Sequence, residues 1–305
     1  MTHEPGFATD GVAMTAPAQT AETDFEPVYH HYGPHRAGLP PLLPYFHQLW
    51  LRRGFAAEMS RATMRSANTG TVLGQLWLVL NPLLLAGVYY LLVTIIRGQH
   101  DPGFFTHLTL GLFAFTMVSS AVTSGATSVT GSGKLLINTA FPRLLIPLSA
   151  ARTAFVRFLP TIPVYFGFHL LLLTRQWGWT MLLGVYFLAT MVVFATGLAA
   201  FFAALQVYFR DTSSFLPFVM RLWLYLSPVL WLPETIFGHF PRWMLTLIQV
   251  NPMYSMIGGY AEVMQELRVP APYIWVSAAA WALAAALVGF LFFISREREF
   301  AVRLT

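Results

Sequence analysis

Over 305 residues this chain is 56% hydrophobic and only 10% charged, with a mean hydropathy of +0.59, which excludes an ordinary soluble domain of its size. Its net charge of +5 is spread along the segments between apolar stretches rather than massed on one face, which argues against a nucleic-acid surface. With no cysteine it can have no disulfide, thiolate nucleophile or cysteine-held metal. Of its 18 basic residues 17 are Arg, a bias that points to a GC-rich coding sequence.

Residues 1–44 are rich in Pro, Thr, Ala and His and have neither the basic nor the apolar region of a signal peptide, so they are expected to form a disordered cytoplasmic tail. His30, His31 and His35 lie there without a frame to organise them, and no metal site is expected. Residues 45–68 place Phe46, Leu49 and Trp50 at helical spacing among Arg52, Arg53, Arg61 and Arg65, as in an amphipathic helix at a membrane surface. Residues 69–295 form the membrane domain, and 296–305 a cytoplasmic tail.

Charge-free windows at 66–96, 102–133, 158–174, 176–209, a split pair at 212–220 and 222–233, and 269–295 predict six transmembrane helices, so the fold class is all-α integral membrane. With the N-terminus inside, 14 basic residues fall on the inner side, counting Arg221, and four on the outer: Arg97, Arg175, Arg242 and Arg268. That asymmetry predicts cytoplasmic N- and C-termini in a plasma-membrane protein. A further window, 243–261, is interrupted by Asn251-Pro252 and Gly258-Gly259; it is expected to re-enter the outer half of the membrane rather than cross it.

Gly131-Ser132-Gly133-Lys134-Leu135 has the look of a phosphate-binding loop, but Ser128 and Leu135 occupy positions where that motif requires Gly and Ser or Thr. ATP chemistry must then come from another polypeptide. Neither a Ser/His/Asp arrangement nor a pair of carboxylates can be placed in one pocket, so no catalytic residue is assigned.

Three other segments carry a more specific pattern. Leu73-Gly74-Gln75-Leu76-Trp77 with Asn81-Pro82 opens the first span. A loop from Lys134 through Asn138 and Phe141-Pro142-Arg143 to Ile146-Pro147-Leu148-Ser149-Ala150 joins spans two and three. Phe209-Arg210-Asp211 opens the fifth segment, which closes with Leu226-Ser227-Pro228-Val229 and is followed by Asn251-Pro252. In this order the residues resemble the membrane subunit of type-2 ABC exporters, and among these the polysaccharide-export permeases that handle lipid-linked O-antigen, teichoic acid or galactan. The resemblance runs from about residue 45 to 300. One departure is Asn68-Thr69-Gly70, where such permeases carry basic and aromatic residues.

The resemblance implies a homodimer in which each half rests, through a short coupling helix, on a separately encoded ATP-binding subunit that holds ATP and Mg²⁺, with no cofactor in this chain. Lys134, Leu135, Leu136, Ile137, Phe141, Pro142 and Arg143 are the candidate coupling residues. Read without the resemblance, the same stretch is a plain positive-inside loop. Trp77, Tyr89, Phe113, Phe115, Phe218, Trp223 and Tyr225 are candidates for the translocation path, because aromatic faces stack on sugar rings without fixed hydrogen-bond geometry. The alternative is aromatics facing lipid or the interface. Arg221 joins the path as a candidate partner for the phosphate of a lipid-linked glycan, or else snorkels to the membrane surface. The expected function is ATP-driven export of a lipid-linked polysaccharide, with the Arg-rich composition pointing to a cell-wall galactan. A drug or antibiotic exporter of the same superfamily and a membrane-embedded glycan-assembly enzyme are the alternatives.

Overall fold

The structure is a computed structural model that describes residues 41–67, 73–98, 101–133, 141–173, 177–232 and 241–303. All regular structure among the described residues is helical. The expected N-terminal tail as far as residue 40, its three histidines, and Lys134 to Ile137 lie outside the described residues.

Among the described residues five helical stretches are long and apolar enough to cross a membrane: Trp77–Ile96, Pro102–Gly131, Leu145–Leu172, Trp179–Tyr208 and Pro272–Glu299. In chain order, helices α1 (Leu42–Leu51) and α2 (Arg53–Ser66) precede α3 (Trp77–Arg97) and α4 (Pro102–Gly131). The chain breaks at Arg52, so the amphipathic stretch is two helices rather than one. Gly98, at φ 66°, closes α3 in the left-handed conformation that a residue without Cβ adopts freely. Asp101 then caps α4: its carboxylate accepts from the Gly103 amide at 2.9 Å, and Pro102 fills the first helical position, where no amide is missed.

The third span is α5 (Leu145–Phe158) and α6 (Thr161–Leu172), separated at Leu159-Pro160. It starts well before the expected 158, and Ile146 to Ala150, read from sequence as loop, belong to it. Pro147 is tolerated because it sits in the first turn, where a ring costs no helical hydrogen bond. A 3₁₀ turn (Trp179–Leu183) leads into α7 (Gly184–Tyr208). Helix α8 (Thr212–Leu226) follows, then α9 (Arg242–Val250), and a wound segment from Tyr254 to Glu266 that is π-helical at both ends. Helix α10 (Pro272–Arg296) and a short α11 (Phe300–Arg303) finish the chain, with Phe300 buried against Phe293 at 5.1 Å between rings.

The fifth apolar window is helical over 15 residues only. Ser227 precedes Pro228 and is driven to extended backbone (φ −99°, ψ 151°), which ends the helix after about 22 Å, short of a hydrocarbon core.

Helix α4 lies at the centre, packed by α3, α5, α6, α7 and α8. Its apolar window is 78% buried, against 11% for α3, which lies on the outside of the bundle. The tightest seam joins α7 to α10, where Gly197 and Gly289 bring the backbones together: a Cβ on either would fall on backbone atoms of the other helix. Gly125 of α4 meets Ala199 of α7 in the same way. Close backbone approach is the chief source of association between helices where no water is displaced. A second core of Val129, Leu144, Ile146, Ala203, Phe293 and Phe300 ties the helices together at the end that carries most of the arginines, called below the basic end.

Candidate functional site

The second half of α4 is rich in hydroxyls, and most of them share one face. Thr116, Ser120, Thr123, Ser124, Thr127, Ser128 and Ser132 recur at intervals of three and four, which places them on one face. That face borders two cavities. One, of about 310 Å³, is lined by Trp77, Asn81 and Pro82 of α3, Phe113, Thr116, Met117 and Ser120 of α4, and Ala154, Arg157 and Phe158 of α5. The other, of about 480 Å³, continues toward the basic end between α2, α4 and α5, ending at Gly131 and Ser132. Ser120, Ala154 and Arg157 line both, so the two form one cleft. From Phe113 to Ser132 it follows α4 for roughly 28 Å, nearly the thickness of a hydrocarbon core.

Most hydroxyls on this face donate back to the preceding turn of their own helix: Thr123 to Ser119 O at 2.7 Å, Ser128 to Gly125 O at 2.6 Å, and Ser124 to Ser120 O. On the facing wall the hydroxyls of Thr153 and Ser60 lie 2.9 Å apart and join α5 to α2, and Arg152 donates to Ala57 O at 3.4 Å. Arg157 sits about 18 Å along the helix from Leu145, half-buried, and makes no hydrogen bond or ion pair among the described residues.

The eight candidates for the path divide into three groups. Trp77 and Phe113 both line the smaller cavity, Phe113 from within the buried core. Tyr89 of α3 and Tyr225 of α8 meet edge to face, with hydroxyls 3.5 Å apart, and Arg221 is close enough to interact electrostatically with Tyr89. Phe218, 75% exposed, and Arg221 lie on the same open side of α8, opposite the buried Leu216, Met220 and Leu224. Phe115 is buried in the core, and Trp223 packs on Phe194 with its indole N–H turned to the side chain of Asn251.

Asn251 is a latch. Its side-chain oxygen accepts from Trp223 Nε1 at 2.8 Å and from the Met253 amide at 3.0 Å, and its amide donates to Leu226 O at 2.9 Å. It thereby fixes the wound segment to the end of α8. At the other end of that segment Gln265 meets buried His107 of α4 at 3.2 Å, while His107 also engages Pro228 O at 3.0 Å. Both ends are held at the same end of the bundle, opposite the basic end. The segment closes at Leu267, whose φ of 54° is rare for a side chain of that size.

At the basic end Phe141 packs on Phe55 of α2 with ring centroids 4.8 Å apart, Pro142 is buried, and the Arg143 guanidinium donates to the Glu297 carbonyl. Tyr45 of α1 donates to Glu297 Oε2 at 2.5 Å. Burial and the neighbouring carboxylate push the Tyr45 phenol up, so it stays a hydrogen-bond donor throughout the physiological range. Tyr208 donates to Glu299 at 2.6 Å, and Arg303 lies over its ring at 4.2 Å. Glu297, Glu299 and the α4 hydroxyls were not among the residues picked out from sequence. The hydroxyl spacing was a usable signal; the partners of the two glutamates, up to 252 residues away, left none.

An all-helical, multi-pass membrane protein whose apolar bundle admits a polar cleft has the architecture of a transporter's membrane subunit. The chain belongs to the family described as ABC-2 type transporter, whose model matches residues 57–265. It is similar to the O-antigen export system permease protein RfbA of Myxococcus xanthus, with 28% identity over 258 residues, covering 83% of this chain and 96% of that protein. Two Klebsiella pneumoniae proteins of the same description are 32% identical over 197 residues (63% of this chain, 73% of theirs) and 30% identical over 208 (67% and 77%). The family match takes in the cleft, the open side of α8 and the Asn251 latch.

Proposed function

We propose that this chain is the permease subunit of an ATP-driven exporter that carries a lipid-linked polysaccharide across the plasma membrane. The observation that carries this reading is the similarity to O-antigen export permeases over 83% of the chain. A cell-wall galactan is the proposed cargo, on the strength of the Arg-rich composition.

In this reading α8 and the residues after Ser227 make the fifth of six crossings, and the segment from Arg242 to Glu266 re-enters from the outer face. Its latches at Asn251 and His107, both remote from the basic end, support that arrangement. The positive-inside bias puts the basic end and both termini in the cytoplasm. Two copies associate through the exposed faces of α3 and α8, bringing Tyr89, Phe218, Arg221 and Tyr225 to the dimer seam. A separate subunit binds ATP and Mg²⁺ and docks on Lys134 to Ile137. Phe141 and Arg143, held by Phe55 and Glu297, anchor the base of that docking segment. Closure of the ATP-binding subunits then shifts an equilibrium between states of the bundle.

Depleting the protein in its own host and measuring the amount, chain length and membrane face of lipid-linked glycans tests the proposal. Accumulation of long lipid-linked polymer on the cytoplasmic face is expected. Glycans arrested at short length would replace export with assembly, and an unchanged pool would replace the glycan with another cargo.

A further inference from the structure

The cleft along α4 is lined for a ligand of particular chemistry. Nine of the fourteen described residues around its wider part carry hydroxyls, and among the described residues no carboxylate lines either cavity. The nearest acidic side chain on α2, Glu58, is paired with Arg61. Because several of the α4 hydroxyls have spent their protons on carbonyls of their own helix, their free lone pairs face the cleft. Such a surface accepts hydrogen bonds and suits a ligand rich in O–H donors. Lipid tails gain nothing from it.

Arg157 adds a positive charge shared by both cavities. A guanidinium this far along an apolar span is expensive unless it meets water or an anion, and none of the described residues offers it a partner. Its planar fork matches the paired oxygens of a phosphate. Asn81, on the opposite wall, supplies a further amide.

We infer that this cleft binds a glycosyl phosphate or diphosphate, with the phosphate on Arg157 and the sugar hydroxyls along the Ser and Thr face of α4. The inference rests on the export reading for the origin of the ligand. The same chemistry is offered by the head of a lipid-linked glycan and by a soluble sugar phosphate.

The chain has no cysteine, which makes single replacements directly readable. Thr127→Cys and Ser124→Cys test the cleft, and Leu283→Cys, 60% exposed on α10, serves as a lipid-facing control. Each full-length chain is expressed in its host, so that its partners are present. The membranes are opened to reach both faces, and the rate of modification by a charged, water-soluble thiol reagent is measured. Inorganic pyrophosphate and a polyprenyl diphosphate are added separately as probes.

Both cleft cysteines are expected to react, and the control to stay unmodified. A diphosphate probe is expected to slow the cleft reaction. Arg157→Gln should raise the probe concentration needed by roughly tenfold or more, the effect of losing one charged hydrogen-bond partner. Arg157→Lys should restore part of the protection, which a merely misfolded protein would not do. Protection by the polyprenyl diphosphate alone, or by both probes, assigns the site to a lipid carrier. Protection by pyrophosphate alone keeps the site and assigns it to a soluble sugar phosphate. Unreactive cleft cysteines, no protection by either probe, or protection indifferent to Arg157→Gln overturns the inference. Binding needs no export. Arg157-dependent protection with unchanged glycans on depletion would sink the export reading and leave the site standing, while accumulated glycans with an unprotected cleft would do the reverse.

Discussion

The seam between α7 and α10 and the cleft along α4 are both built from small residues, yet one is closed to the backbone and the other stands open. In the seam, Gly197 and Gly289 leave no side chain between two helices, so main chain rests on main chain. In the cleft, Ser120, Ser124 and Thr127 line empty space, because α3 stays at the edge of the bundle and α2 meets α5 rather than α4. Small size alone therefore does not say whether a membrane helix packs or opens. What lies opposite does: Thr153 and Ser60 meet across a packed contact between α5 and α2, whereas Ser120, Ser124 and Thr127 border open space.

Gly289→Val puts that contrast to its hardest test. The added Cβ would fall on the Gly197 carbonyl, backbone that cannot step aside, and the cost should exceed about 3 kcal/mol. Loss of monodisperse protein on size exclusion, or a collapse of thermal stability, is the expected result; a well-folded Gly289→Val would show that the seam is looser than described. Asn251→Ala comes next. It leaves the Trp223 indole N–H, the Met253 amide and the Leu226 carbonyl without their partner, a penalty of about 3 kcal/mol concentrated in the wound segment. Limited proteolysis should then cut between residues 241 and 267 while the spans stay protected.

Tyr45→Phe removes one hydrogen bond to a half-buried carboxylate and should cost about 1–2 kcal/mol, read as a lower melting temperature. The smallest effect belongs to the cleft. Thr127→Ala should change stability by less than about 0.5 kcal/mol, since its side chain touches open space. A large loss there would mean that the cleft is a packed interface in the assembled protein, and would erase the contrast with the seam.

Much of the fold was legible. Apolar windows mark spans because every residue in lipid must satisfy its backbone internally and present apolar side chains, which is a local requirement. Two boundaries were not legible. The start of the third span was hidden by Pro142, Arg143, Pro147, Arg152 and Arg157, which together read as loop; in the fold both prolines fall at or before the first turn, and the two later arginines face α2 and the cleft. The fifth window looked long enough to cross, but Ser227-Pro228 stops its helix. Of the candidate site, Trp77 and Phe113 line the cleft and Tyr89 and Tyr225 meet, whereas Phe115 lies in the core. Spacing on one helix identifies a shared face, but not which neighbour that face receives.

By itself the sequence determined that the chain lives in a membrane, where most of its spans run, and which end gathers the arginines, since transfer of each segment from water to lipid depends on that segment's own residues. The tertiary structure alone decided that the hydroxyl face of α4 is open, that Arg157 lines the opening, and that Asn251 latches the wound segment to α8. A cavity is set by the atoms missing opposite a face, and a latch by partners 25 to 28 residues away, so both depend on how several helices meet rather than on any one of them.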